Sequence, residues 1–350
     1  MHSNPTEPQG PPPPARSFVG GVLMGFANLV PGISGGTLIL AVGLYERFVG
    51  ALADLSRLRP TKHGLVFLAW VGVGAVLAVV TLSGLLVNLV IDHRWAMYSL
   101  FVGMTLGGVP MLWKAIGRWN PANVVALGLG FAVMAWVAFG MSDTRLPTTI
   151  PVLIGVGALA ASSMILPGIS GSYLLLILGL YEVVVGSLSR DALQEDFGGS
   201  VRIVAPVLVG AALGMALLSN LLRYVLGRFP SASHAALLGL LCGSVLGLYP
   251  FQEPVEPDLA NKANRKVVAM VDAGSEGDAI RAKYGAAFDD ARILDLTTRF
   301  GGEGAGALKR RGEALERFDP GAGRIAQALA LFLLGLLVTR LVGRGDRPSA

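Results

Sequence analysis

Ser34 and Ser170 each follow a Pro-Gly-Ile sequence and precede a glycine, within segments that are otherwise apolar. Proline lacks a backbone donor and glycine frees the backbone, so each Pro-Gly pair predicts a break between two half-helices. Half-helix N-termini that converge from opposite directions stabilise an anion, which predicts phosphate binding; tight hairpin packing is the alternative reason for such glycines. The predicted helix breaks are Pro31, Gly32, Pro167 and Gly168, and the predicted phosphate-binding residues are Ser34, Gly35, Gly36, Thr37, Ser170, Gly171, Ser172 and Tyr173.

Ionisable and amide side chains beside these segments are further candidates. Glu46 and Glu182 are the last residues of the two segments, where a charge is costly unless it is paired or hydrated. Either glutamate could titrate to couple transport to an ion gradient, or could be held at the interface by a neighbour such as Arg47. Asn28, just before the first break, could coordinate an ion or cap a half-helix. Arg47 and Arg223 are expected to attract an anionic headgroup, Arg223 by extending toward the headgroup layer.

The two segments are copies of one unit. Residues 31–46 and 167–182 are identical at 11 of 16 positions and lie 136 residues apart. At the same offset Gly74 falls on Gly210, and Gly103 falls on Gly239. This spacing indicates a duplicated unit of about a hundred residues.

The composition is that of a polytopic membrane protein. Hydrophobic residues make up 53% of the chain and charged residues 15%, and the mean hydropathy is +0.61. Such values, with long apolar runs, exceed what a soluble domain needs. The net charge of +5 lies mostly in short loops, which favours membrane orientation over nucleic-acid binding. Cys242 is the only cysteine, and no metal or cofactor motif is evident.

The apolar runs predict an all-α polytopic membrane protein whose halves are each a re-entrant helical hairpin plus three transmembrane helices. The arms of each hairpin are too short to span a membrane, which takes roughly 20 residues. The predicted parts are a disordered Pro-rich tail at 1–17, a first repeat at 18–141 with its hairpin at 18–50, a second repeat at 155–342 with its hairpin at 155–186, and a tail at 343–350. The predicted spans are 65–91, 95–113, 122–141, 203–226, 232–250 and 324–342.

Loop charges predict that the two halves have inverted topology. One acidic and three basic residues follow the first hairpin between 54 and 62, whereas one basic and three acidic residues follow the second between 190 and 196. Because basic loops stay in the cytoplasm, the halves face opposite ways, and both termini are expected in the cytoplasm. Tyr45 and Tyr181, beside the two glutamates, are expected to be interface anchors.

A polar insertion at 251–320 precedes the last span and is extracytoplasmic on this topology. It is expected to be either a small α/β cap or a partly ordered loop. The sequence suggests a strand at 267–271 and helices at 276–288 and 307–318.

The double Pro-Gly-Ile-Ser-Gly motif, each followed by Gly-Leu-Tyr-Glu, resembles a bacterial and archaeal family associated with translocation of polyprenyl phosphate, chiefly undecaprenyl phosphate. The resemblance covers about residues 18–250 and the last span. It implies a flippase in the cytoplasmic (inner) membrane that returns the lipid carrier to the inner leaflet for cell-wall and peptidoglycan synthesis. It implies membrane lipids as partners and no enzyme activity, and protons or sodium ions are the expected coupling ions.

Two other functions are also compatible with the sequence. A secondary carrier or channel for a small ion could use the same inverted architecture. A membrane polyprenyl-diphosphate phosphatase could also use re-entrant hairpins, but it would need arginine, histidine or clustered acidic residues at the hairpin ends. The motifs here hold Ser, Gly, Thr and Tyr instead, which argues against hydrolysis.

Overall fold

The structure is a computed structural model that describes residues 13–29, 34–139, 146–187 and 196–343. The described residues fall into two compact units: those within 1–86, 99–249 and 329–350 belong to the first, and those within 87–98 and 250–328 to the second. The helices up to the insertion are α1 Pro14–Asn28, α2 Gly35–Ala41, α3 Tyr45–Ser56, α4 Lys62–Asp92, α5 Arg94–Leu106, α6 Val109–Ile116, α7 Pro121–Phe139, α8 Ile150–Ile165, α9 Gly171–Ile177, α10 Tyr181–Gly186, α11 Phe197–Arg228 and α12 Pro230–Ser244.

Six helical stretches in the described residues are long and apolar enough to cross a membrane, which confirms the polytopic all-α class. They are Lys62–Leu82, Arg94–Ile116, Pro121–Phe139, Phe197–Arg228, Pro230–Gly247 and Ala322–Val342. Large apolar side chains on these helices remain exposed, for example Val80 and Leu217, each at 72%. Such a surface suits a hydrocarbon environment, where apolar groups need no burial in protein.

Each repeated segment contains a second helix break that the sequence interpretation missed. The predicted single arm from Ser34 onward is two short helices, α2 and α3, separated at Gly43, whose φ is +78°. The N–H of Leu44 donates to the carbonyl of Ile39 at 3.0 Å, and the N–H of Leu180 donates to the carbonyl of Leu175 at 2.9 Å. This is the six-to-one bond of a glycine-terminated helix end, so the shared Gly-Leu stops one helix and Tyr-Glu starts the next.

Helix contacts recur at the offset of the repeat. A Cβ at Gly21 would strike the backbone of Val71, and 136 residues later one at Gly157 would strike that of Val207. Glycine permits this close helix approach in both halves, between α1 and α4 and between α8 and α11.

The last span of each half packs against the other half, so that the two last spans are exchanged between the halves. A Cβ at Gly103 of α5 would strike the backbone of Phe332 in α18 (Ala322–Gly343). A Cβ at Gly239 of α12 would strike the backbone of Leu127 in α7. The second span of each half therefore packs on the last span of the other half.

The second unit is a small helical domain with a two-stranded ribbon. Its elements are β1 Gln252–Pro254, α13 Pro257–Ala260, α14 Lys262–Asp272, α15 Gly277–Tyr284, α16 Asp290–Phe300, α17 Ala305–Glu313 and β2 Leu315–Arg317. The strands are antiparallel, with Gln252 opposite Arg317. The core includes Val267, Val268, Leu296 and Phe300, all at most 2% exposed. The prediction of a strand at 267–271 is wrong, because these apolar residues form the buried face of an amphipathic helix.

Arginine–carboxylate pairs link the helices of this domain. Asp258 accepts hydrogen bonds from Arg292, at 2.6 Å, and from Arg299. These bonds, that from Arg292 foremost, lower the pKa of Asp258 below its ordinary value. Arg311 pairs with Glu256 at 2.8 Å and also with Glu303.

Candidate functional site

The two repeated motifs meet in the first unit. We call residues 34–37 the first tip and residues 166–173 the second tip. Ser34 is 1% exposed, and its hydroxyl donates to the carbonyl of Leu166 at 3.0 Å. The same hydroxyl oxygen accepts the N–H of Gly36 at 3.2 Å and so caps α2. Ser34 therefore both starts its own half-helix and holds the opposite motif.

Thr37 makes the second link between the tips. Its hydroxyl oxygen accepts the backbone N–H of Gly168 at 2.7 Å, and Thr37 is 2% exposed. Gly168 has a φ of +92°, a conformation that favours glycine. A buried N–H must find an acceptor, and here a side chain 131 positions away supplies it.

Gly36 allows the tips to touch. A Cβ at this position would lie 2.7 Å from the carbonyl oxygen of Met164 and 2.8 Å from that of Ile165. No side chain larger than hydrogen fits without a backbone shift. Gly35 is also buried, and a Cβ there would lie 3.0 Å from Nδ2 of Asn28, whose residue is exposed at the end of α1.

The second tip is more open than the first. Ser170 is 7% exposed, and its hydroxyl lies 2.9 Å from that of Ser172, which is exposed. Tyr173 is half-buried, whereas Gly171 is buried against the carbonyl of Ala160. Pro167 lies in the connection between α8 and α9, and Pro31 and Gly32 lie outside the described residues.

Glu46 is paired with a histidine of α12. Nε2 of His234 lies 2.9 Å from Oε1 of Glu46, and Nδ1 lies 2.6 Å from the carbonyl oxygen of Pro230. A carbonyl can only accept, so Nδ1 carries a hydrogen, and Nε2 and Oε1 then share one further proton. Glu46 also stands in the first turn of α3, where the helix dipole favours its negative charge. The side chain of the equivalent Glu182 lies outside the described part of the chain.

Glu46 and His234 line a small pocket of about 130 Å³, which we call the Glu46 pocket. Its wall is mostly apolar, and Tyr45, Glu46, Arg47 and His234 are its polar residues. Tyr45 is 3% exposed, so its prediction as an interface anchor is wrong: the turn at Gly43 directs the ring into the core. Its hydroxyl is buried and has no hydrogen-bond partner among the described residues.

An apolar groove of about 410 Å³ shares one lining residue, Leu237, with the Glu46 pocket. The groove is formed by α11 and α12 together with Leu166 of the second tip. Its lining includes Leu166, Leu222, Leu226, Phe229, Ala236 and Leu237.

Arg223 forms an ion pair with Asp54, and Asn220, one turn earlier, donates to the hydroxyl of Ser56 at 2.8 Å. These bonds tie α11 to the end of α3. The Arg223 side chain remains 43% exposed, so its charge faces the surroundings as well as Asp54. No group of three or more His, Cys, Asp or Glu residues suited to a metal ion occurs in the described ranges.

Sequence reasoning missed His234 and the role of Tyr45. The histidines are scattered along the chain, and 188 positions separate His234 from Glu46. The repeated Gly-Leu-Tyr-Glu was a usable signal for the turn at Gly43, since a glycine at the same place in both copies suggests a helix end.

Residues 24–266 match the model of a family described as undecaprenyl phosphate translocase-like. A protein of Vibrio cholerae serotype O1 named polyprenyl-phosphate transporter is 30% identical over 254 residues, 68% of this chain and 78% of that protein. A protein of Staphylococcus aureus with the same name is 29% identical over 241 residues, 66% of this chain and 84% of that protein. No solved structure matches the chain.

Proposed function

The chain belongs to the undecaprenyl phosphate translocase-like family, and from this premise we propose that it returns undecaprenyl phosphate to the cytoplasmic leaflet for cell-wall glycan synthesis. A phosphate is too costly to move unaided through roughly 30 Å of hydrocarbon, whereas a prenyl chain can stay in the lipid. The protein therefore has to supply a polar path for the headgroup. This is transport across a membrane and requires no bond to be broken.

The observation that carries the proposal is the meeting of the two tips. Ser34 and Thr37 of one repeat bond to Leu166 and Gly168 of the other, so the polar groups of both repeats are concentrated at one contact. If the halves are inverted, this contact lies between paths from the two leaflets. Separation of the tips would free the hydroxyl of Ser34 and the N–H of Gly168 to bind phosphate oxygens.

The Glu46–His234 pair is the proposed coupling site. The pair shares one proton between Nε2 and Oε1, and a second proton would neutralise Glu46 while His234 stays charged. Adding that proton weakens the link between α3 and α12. A proton gradient would thereby bias the opening of the hairpin. Sodium coupling is the alternative outcome of the test below.

The test uses purified protein in proteoliposomes with undecaprenyl phosphate and measures how much headgroup reaches each leaflet. We expect transport by the natural chain that responds to an imposed pH gradient, and no such response with Glu46→Gln. The exposed Glu316→Gln is the matched control. A response to a sodium gradient alone would replace protons as the coupling ion.

The tip residues are tested by Ser34→Ala together with Ser170→Ala. Transport should fall at least tenfold, since each serine offers a hydrogen bond to a charged group. Ser187→Ala removes a hydroxyl that bonds only locally, to the carbonyl of Val183, and should change nothing. Unchanged transport in the double variant would remove the serines from the proposed site.

The direction of transport is tested in cells. In a strain without redundant recyclers, loss of the protein should raise the undecaprenyl phosphate that a headgroup-binding lipopeptide detects on the outer surface. Unchanged exposure would make the small-ion carrier the leading function.

A further inference from the structure

The Glu46 pocket, with its few polar side chains, and the apolar groove together match an amphiphile. The groove has about 410 Å³ of apolar space, the pocket has about 130 Å³, and Leu237 lines both. We infer that they form one docking site for a polyprenyl phosphate, with the first isoprene units in the groove and the phosphate in the pocket. This inference rests on the proposed function and adds a second headgroup position, apart from the tips.

The hydroxyl of Tyr45 is the first argument for a phosphate in the pocket. It is buried and unpartnered among the described residues, and its residue is 3% exposed. A buried donor without an acceptor costs free energy, so native structures rarely retain one without a reason. Tyr45 lines the pocket, and a phosphate oxygen that reached its hydroxyl would accept this hydrogen bond.

The charges around Tyr45 provide the second argument. Arg47 and His234 line the same pocket, and the positive charge of Arg47 attracts an anion. Both ring nitrogens of His234 are already bonded, one to the carbonyl of Pro230 and one to Glu46. Glu46 opposes an anion while it is ionised, and it also holds Nε2 of His234 at 2.9 Å. Another basic group, Arg16, donates to the carbonyl of Val42 at 2.8 Å, just before Gly43 of the pocket. The pocket therefore binds phosphate more tightly when Glu46 is neutral.

The groove supplies the third argument, because it leads to the tips. Leu166 lines its wall, and the carbonyl of the same residue accepts the hydroxyl of Ser34. A prenyl chain in the groove would thus lie between the docking pocket and the tip contact. Its head could reach the tips without the first isoprene units leaving α11 and α12.

The experiment measures binding of farnesyl phosphate to the purified full chain in nanodiscs. Tyr45→Phe should weaken binding about tenfold, since it removes one hydrogen bond to a charged group. The same variant should unfold at an equal or higher temperature, because it removes a buried donor that has no partner. Glu46→Gln should strengthen binding several-fold. Tyr224→Phe, at a tyrosine that is 63% exposed, is the control and should change neither property.

The groove is tested by Ala236→Trp, which fills it, against Ala212→Trp on an exposed position of α11. The first should weaken binding of farnesyl phosphate and of farnesol, whereas the second should not. Farnesol should be insensitive to Tyr45→Phe, and inorganic phosphate should compete only weakly. If Tyr45→Phe and Ala236→Trp both bind farnesyl phosphate like the natural chain, the docking site is refuted.

Transport assays separate this inference from the proposed function. Transport of undecaprenyl phosphate by the natural chain, combined with unaltered binding in both variants, would overturn the docking site alone. A natural chain that neither transports undecaprenyl phosphate nor binds farnesyl phosphate would overturn both.

Discussion

Replacement of Thr37 by valine isolates the contact between the two tips. Valine has nearly the shape of threonine but cannot accept the N–H of Gly168, now bonded at 2.7 Å. Because Thr37 is 2% exposed, no water replaces the lost acceptor while the tips are in contact. The variant therefore leaves a buried N–H without a partner, whereas packing is nearly kept.

The cost follows from the desolvation of that group. A buried donor left without an acceptor loses about 1–3 kcal/mol. Since about 1.4 kcal/mol is a factor of ten, the equilibrium for separating the tips should shift roughly 5- to 150-fold toward the separated state. The six spans contribute nothing to this difference, because their contacts are the same in both chains.

Hydrogen exchange measures the equilibrium between tips in contact and tips separated. The amide of Gly168 should exchange faster in Thr37→Val by the same factor, measured by mass spectrometry on peptides that cover residues 164–170. Thr81→Val is the matched control, because Thr81 is exposed and its hydroxyl bonds only to the carbonyl of Leu77 in its own helix. Equal exchange at Gly168 in the natural chain and in Thr37→Val would refute the reasoning.

Two further predictions concern stability. Gly36→Ala should destabilise the first unit by about 1–3 kcal/mol through its clash with the carbonyls of α8, whereas Gly72→Ala, with open space around it, should not; unfolding in mixed detergent measures both. In the second unit, the bonds from Arg292 and Arg299 lower the pKa of Asp258, so their stabilisation is present above the unfolded pKa of about 3.9 and is lost as pH falls through the folded pKa. Asp258→Asn should lower the hydrogen-exchange protection of α16 at pH 7, and the further loss of protection below about pH 4 should be smaller than in the natural chain. A loss of protection below about pH 4 as large as that of the natural chain would contradict this.

Much of the architecture could be predicted from local signals. Apolar runs of sufficient length located all six spanning helices, and the repeat at an offset of 136 indicated equivalent halves. The recurrence of Gly21 against Val71 and of Gly157 against Val207 extends this equivalence to helix contacts. The exchange of the last spans had no local sequence signal, because it arises from packing between helices that are far apart in the chain.

Periodicity failed where short apolar runs were ambiguous. The run at 267–271 suits a strand or one face of a helix equally well, and burial against α16 and α17 selected the helix. The arm after Ser34 was predicted as one helix, because its apolar residues continue through Gly43. The glycine's positive φ divides it and turns Tyr45 inward.

The sequence by itself determined the class of the protein, its family and the residues of the repeated motif, because hydropathy and motif identity are properties of the chain alone. Only the tertiary structure decided what those residues touch. Ser34 and Thr37 bond to the opposite repeat, and Glu46 bonds to His234, across separations of 131 to 188 positions. No local pattern encodes such pairs, since they arise when helices from both repeats pack against each other and each buried polar group finds the partner within reach.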